Sequence, residues 1–280
     1  MKTATVERPA PVLVVGSVAL DTVETPFGHA RRVVGGSATY FAAAACHLAP
    51  VQLVGVVGDD YPVERLAPLA HCGVDLTGLE RARGESFHWR GRYQHDLNAA
   101  QTLETRLGVF SDFRPKIPPE FRRAPFVFLA NIDPRLQLEV LDQVQAPKLV
   151  ACDTMNYWID SRREDLVALL ARVDLITLND SEARQLTGRP NLVHAARWIL
   201  DHGPGYVLIK KGEHGALMFT PRSVFFAPAY PLESVFDPTG AGDAFAGGFM
   251  GYVARTGDLG DANLRRAVIA GSALGSFAVE

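Results

Sequence analysis

The 280-residue chain is poor in cysteine, carries no excess of basic residues and contains no long apolar run. Its three cysteines, Cys46, Cys72 and Cys152, are far apart, odd in number and form no CxxC pair. That pattern speaks against a disulfide framework or a zinc site and fits a reducing, cytoplasmic setting. Lys and Arg number 28 against 31 Asp and Glu, for a net charge of −3. With no basic tail or like-charge block, nucleic acid and anionic membrane are not expected partners. No stretch of about 18 uninterrupted apolar residues occurs, so no transmembrane helix is expected. The start, Met1 to Pro11, is short and polar and lacks the apolar core of a signal peptide. P-loop, HExxH and GxSxG patterns are also missing, which leaves those chemistries without support.

What is present is an ordinary globular composition, 48 % apolar and 21 % charged. Val12 to Val15 and Val51 to Val57 read as short buried strands, with an Ala-rich helix from Ser37 to Leu48 between them. This β-α-β alternation implies an α/β fold, a doubly wound parallel sheet covered on both faces. It resumes with strands at 125–130, 148–152, 174–178 and 206–210, separated by helical stretches. A meander over 216–219 and 224–227 follows, and then two helices from about Ala241 and Leu259. Residues 74–110 contain no clear helix and read as antiparallel strands of a small inserted sheet, joined by residues 17–35. No internal repeat or linker divides residues 1–280, which read as one α/β domain. The last residues, to Glu280, lie inside what reads as a helix from Asn263 without a stop signal, so a longer native chain is one expectation.

The most informative stretch runs from Asp237 to Phe249, DPTGAGDAFAGGF. Small residues, Gly240, Ala241 and Gly242, precede an acid at the start of a small-residue helix. A helix N-terminus offers unsatisfied N–H groups and a positive dipole end, and residues without bulk let an anion approach them. Asp243 in the first turn would then stand beside the held anion. That pairing suits phosphoryl transfer: N–H groups stabilise the transferring group while a carboxylate takes the acceptor's proton. The plainer reading is a tight turn with Asp243 as a cap.

From Asp237 through Met250 this stretch resembles, position by position, the C-terminal signature of the PfkB, or ribokinase-like, carbohydrate kinases. Further resemblances span most of the chain. Gly16 to Asp21 is similar to the family's first strand and its substrate-binding acid, Asp21. Gly35-Gly36 is similar to the double-glycine turn on which substrate rests. Asn179 to Glu182 resembles the NxxE motif, which implies a nucleotide role for Asn179 and a water-mediated Mg²⁺ role for Glu182. The same two residues also form a capping-box pattern. Lys210 to Gly215 resembles the nucleotide-binding loop, implicating Lys210, Gly212 and Gly215. Asp237 and Thr239 fall where the family's loop borders a monovalent cation, K⁺. The inserted sheet matches the family's lid. Together these imply an ATP- and Mg²⁺-dependent kinase acting on a small-molecule hydroxyl, with Asp243 as base. One departure stands out: Tyr40 occupies the position where the family usually has a substrate-contacting Asn.

By family frequency the acceptor is expected to be a free sugar or polyol. Arg90 and Arg92, on one strand face by period-two spacing, point instead to a phosphosugar, or to a solvated face. Trp89 and Tyr93 point to a nucleoside, or to a lid–lid homodimer interface. Asp153 and Asn156 resemble a segment bordering the active site, or form a plain strand-end turn. His88 and His95 read as surface residues. A silent ligand-binding regulator on the same fold is the alternative outside the enzyme class.

Overall fold

The computed structural model describes residues 9–95, 97–98 and 100–280. Residues 1–8, on which part of the leader expectation rests, lie outside the described residues. In chain order the elements are β1 (Val12–Val15), β2 (Ala19–Thr25), β3 (Gly28–Gly35), α1 (Ser37–Ala45), β4 (Val51–Val57), α2 (Ala67–His71) and β5 (Val74–Arg81). Then come β6 (Phe87–Tyr93), β7 (Ala100–Arg106), β8 (Phe126–Leu129), α3 (Pro134–Leu141), β9 (Leu149–Asp153), α4 (Asn156–Ser161) and α5 (Arg163–Leu170). The remainder is β10 (Leu175–Asn179), α6 (Asp180–Thr187), α7 (Leu192–Leu200), β11 (Tyr206–Lys210), β12 (Ala216–Phe219), β13 (Val224–Ala227), α8 (Ala241–Thr256) and α9 (Asp261–Phe277).

Two sheets organise these elements. A 9-stranded sheet runs β13-β12-β11-β10-β9-β8-β1-β4-β5, and a 4-stranded sheet runs β3-β2-β6-β7. From β11 to β5 every pairing in the large sheet is parallel, and β12 and β13 add an antiparallel hairpin at one edge. The unbroken apolar run of β1 explains its central place. Val12 and Val14 enter the core that holds α1, α8 and α9, while Leu13 and Val15 enter the core on the opposite face. A strand buried on both faces cannot alternate with polar residues. Burial of each such side chain is worth roughly 1.5–3 kcal/mol, and Phe41 of α1 stacks on Phe128 of β8 at 4.4 Å.

Small residues set how close the helices come. A Cβ at Gly247 would stand 2.3 Å from the Phe41 carbonyl oxygen, so α8 seats directly on α1. This contact is what brings the start of α8 close to the start of α1.

Three expectations are corrected. Val74–Arg81 is not part of the small sheet. It pairs parallel with β4 as the edge of the large sheet, so the lid comprises 19–35 and 87–106. The small sheet is also mixed, because β2 and β6 run parallel. Cys46 and Cys72 are joined by a disulfide, with Cα atoms 5.6 Å apart. Cys46 and Cys72 directly follow α1 and α2, the helices preceding the neighbouring strands β4 and β5. Topology thus joins thiols that sequence spacing keeps apart. Cys152 is buried and unpaired. Helix α9 closes at Phe277, and the Val279 carbonyl accepts from the Phe236 N–H at 2.9 Å. Among the described residues no helix is long and apolar enough to cross a membrane.

Candidate active site

Parallel strands deliver their C-terminal ends to one edge, and the polar residues placed there are those the sequence singled out. Asn179 of β10 and Lys210 of β11 are register partners, and Asp153 ends the next strand, β9. Lys210 Nζ donates to Asp153 Oδ2 at 2.9 Å, with side chains only 16 % and 3 % exposed. A buried cation next to a buried anion holds its charge only through such pairing. Burial alone would lower the Lys210 value, but Asp153 and Glu182 hold it above the usual lysine range. Burial pushes the Asp153 carboxyl up, opposed by Lys210 and the Thr154 N–H.

Both readings of the Asn179–Glu182 pair coexist. Asn179 Oδ1 accepts from the Glu182 N–H at 2.8 Å, and Glu182 Oε2 accepts from the Asn179 N–H at 2.7 Å, a complete capping box. Burial nevertheless raises Glu182 to about 7, with Lys210 opposing and Asp153 adding to the shift.

The turn before α8 completes this edge. Gly240 caps the helix in the left-handed region, φ 78°, where a glycine is the inexpensive choice. Asp237 Oδ1 accepts from the Thr239 N–H at 2.9 Å, which folds the turn. A Cβ at Gly242 would stand 3.0 Å from Lys210 Nζ, so the ammonium lies against the helix N-terminus. Asp243, half-buried in the first turn, is pushed well above the ordinary carboxylate range by burial. The Asp153 charge adds to that shift and Lys210 opposes it. The Ala241 N–H donates to the Pro238 carbonyl at 3.2 Å within the turn, so the site presents a cation, a helix N-terminus and a carboxylate that binds protons readily, all at one helix end.

A second cluster is built on β2, β3 and α1. Gly36, φ 96°, lets the chain pass close to β2: a Cβ there would stand 2.5 Å from the Ser17 carbonyl oxygen. Asp21 is 4 % exposed, and Tyr40 Oη donates to its Oδ2 at 3.1 Å. Burial raises Asp21 to about 6, opposed by the hydrogen bonds from Tyr40 and the Gly36 N–H. A Cβ at Gly35 would stand 2.0 Å from Asp21 Oδ2, so the double glycine leaves room for this carboxylate.

The small sheet contributes its inner face. Asp21 of β2 is in register with Trp89 of β6, so their side chains leave the sheet on the same side. The indole folds over Gly91 and donates to Thr102 Oγ1 at 3.2 Å. Tyr93, on the same face, reaches the turn before α8, where its hydroxyl accepts from Thr239 Oγ1 at 3.3 Å. Asn98, in the connection after β6, approaches Gly212 in the loop after β11. That loop is closed by the Lys211 N–H donating to the Gly215 carbonyl at 2.8 Å.

Other singled-out residues lie elsewhere. Arg90 and Arg92 both grip the carboxylate of Glu24, at 2.6 and 2.7 Å, on the other face of the lid. His88 pairs with Thr22 at 2.9 Å, and His95 is exposed. Asn156 opens α4, a helix the sequence reading did not find, and donates to Gln185. Gln137 of α3 was missed: fully buried, its amide donates to the carbonyls of Leu129, Ala130 and Asp153 at 2.9–3.0 Å. It pins the ends of β8 and β9, and no motif in the sequence signals it.

Residues 12–280 match the family described as pfkB family carbohydrate kinase. Cytidine kinase of Thermococcus kodakarensis is 32 % identical over 247 residues, covering 86 % of this chain and 88 % of that protein. ATP-dependent ribose-1-phosphate kinase of Halopiger xanaduensis is 29 % identical over 234 residues, 82 % and 76 % of the two chains. Among solved structures, aminoimidazole riboside kinase from Salmonella enterica, complexed with aminoimidazole riboside and an ATP analog, superposes with a TM-score of 0.76. At 23 % identity it covers 96 % of this chain and 93 % of that one.

The chain belongs to the pfkB family of carbohydrate kinases. It is a phosphotransferase with a hydroxyl acceptor, a sugar or nucleoside kinase on the ribokinase fold. Nothing favours the silent regulator.

Proposed function

We propose that this enzyme is a nucleoside kinase that transfers the γ-phosphoryl group of ATP to the primary hydroxyl of a ribonucleoside, a pyrimidine nucleoside first. The observation that carries this reading is the register of Trp89 with Asp21 on one face of the lid. A carboxylate next to an aromatic surface suits a ligand with sugar hydroxyls at one end and a flat base at the other. The similarity to a cytidine kinase over most of both chains supports it. The Glu24 clamp weighs against a phosphosugar, since it holds both Arg90 and Arg92 on the face of the lid opposite Asp21 and Trp89.

In this reading Asp21 accepts a sugar hydroxyl and the Gly35-Gly36 backbone supports the ring. Asp243 takes the proton of the attacking hydroxyl at its carboxylate. Because the Ala241 N–H already donates to the Pro238 carbonyl at 3.2 Å, the N–H groups of Gly240 and Gly242, with Lys210 beside them, stabilise the charge of the transferring group. The loop at Gly212 and Gly215, and Asn179, border the nucleotide. Asp153, Glu182 and Asp243 offer hard oxygen donors of the kind Mg²⁺ takes through water. When bound, Mg²⁺ neutralises phosphate charge. A K⁺ ion held by carbonyls near Asp237 and Thr239, and a dimer formed through the lid edges β3 and β7, belong to the same proposal.

The test is ADP release from Mg-ATP with cytidine, uridine, adenosine, ribose and ribose 1-phosphate as acceptors. A nucleoside should give the highest kcat/KM. Preferential turnover of ribose or its phosphate would refute the nucleoside reading.

A further inference from the structure

Tyr40 spans the two halves of the site. Its hydroxyl donates to Oδ2 of Asp21 at 3.1 Å. Its ring lies on the anion turn, because a Cβ at Gly240 would stand 2.3 Å from Tyr40 Cγ and 2.5 and 2.6 Å from the Cδ atoms. The other side of Oδ2 is closed by Gly35, whose Cβ, were there one, would stand 2.0 Å away. This carboxylate oxygen is therefore enclosed by a phenol and by backbone. Burial, then the Asp21 charge, push the phenol's own titration far upward, so its single proton stays available for that bond. The Gly36 N–H also bonds this carboxylate; a carboxylate with both oxygens open can accept both hydroxyls of a vicinal diol, whereas one that already holds a phenol and a backbone N–H reads one.

We propose that Tyr40 is a specificity-determining residue that withholds Oδ2 of Asp21 from the acceptor, so that the acceptor's furanose is read by one hydroxyl rather than two. The choice of probe rests on the nucleoside reading, whereas the geometry does not. The ring on Gly240 gives the same residue a second task, since it fills the space between the acceptor carboxylate and the anion turn. An acceptor there must be slim, as a furanose with a protruding primary alcohol is.

The experiment measures kcat/KM for cytidine, 2′-deoxycytidine and 3′-deoxycytidine with the wild-type enzyme and with Tyr40→Phe, which keeps the ring but removes the donor. A hydrogen bond to a charged group sets the scale: its loss costs about tenfold or more, and loss of an unread hydroxyl costs less than about threefold. In the wild type one deoxynucleoside should match cytidine and the other should fall. In Tyr40→Phe both should fall relative to cytidine, mainly through KM, because the freed oxygen now takes the second hydroxyl. A purely structural role would lower all three acceptors alike and leave their ratios unchanged, which overturns the proposal. So does a wild type that penalises both deoxynucleosides, a result that stands even if Tyr40→Phe does not fold. If the wild type ignores nucleosides, that reading fails by itself. The same comparison, made with the deoxy forms of whichever acceptor does release ADP, then decides the role of Tyr40.

Discussion

The ammonium of Lys210 lies 2.9 Å from Oδ2 of Asp153 and against Gly242 at the start of α8. One cation thus serves three carboxyl groups, since Glu182 and Asp243 also act on it. Replacing Lys210 by Met leaves buried acids without a counter-charge. Breaking such a pair costs about 3–5 kcal/mol, and losing a donor at the transferring group lowers kcat by about 10²–10³-fold. Urea unfolding should show the first loss and steady-state kinetics the second. Asp153→Asn combined with Lys210→Met should recover part of the stability and none of the activity. Full activity in Lys210→Met would remove the residue from the chemistry.

Acceptor use should follow the ionisation of Asp21. Burial holds this carboxyl near 6, and its ionised form accepts a substrate hydroxyl more strongly than the protonated one. The protonated fraction falls as pH rises, so the acceptor KM should fall as pH passes through about 6, two units above an ordinary aspartate. A profile of kcat/KM from about pH 3.5 to 8, with Asp21→Asn beside the wild type because Glu182 and Asp243 are also raised, measures this. A limb near 6 that persists in Asp21→Asn, or a limb near 4 alone, would mean that Asp21 is not the acceptor ligand.

The disulfide between Cys46 and Cys72 closes a segment of 26 residues that contains β4. A cross-link over a loop of that length stabilises by about 3 kcal/mol, which for a chain of this size is a Tm shift on the order of 10 °C. Thermal unfolding with and without reductant, and of Cys46→Ser, should show it. An unchanged Tm in all three would leave the cross-link without a stabilising role.

The parts legible in the sequence were those that are contiguous. Asp237 to Met250 carries turn, anion-binding residues and acid in one run, and the buried strands announced themselves as apolar runs between turn residues. What escaped depends on residues far apart in the chain. Lys210 meets Asp153 across 57 positions, a contact between the ends of β11 and β9 that reaches past the intervening strand β10 and that only the sheet order creates. The disulfide arises in the same way, from two helices flanking neighbouring strands. Val74–Arg81 alternates like a lid strand because, as an edge strand of the large sheet, it has a solvated side. Arg90 and Arg92 share a face as their spacing requires, but spacing could not reveal that Glu24 stands between them. Tyr40 was visible as a departure from the family pattern; its bond to Asp21 was not.

The most direct measurement is acceptor-dependent ADP release by Asp243→Asn, alongside ATP binding by calorimetry. The substitution is nearly isosteric and removes only the proton-accepting charge. Turnover should fall by about 10²–10⁴-fold, the range for losing a general base, while ATP affinity stays within a few-fold of wild type. Near-normal turnover in Asp243→Asn would contradict the assignment of Asp243 as the base.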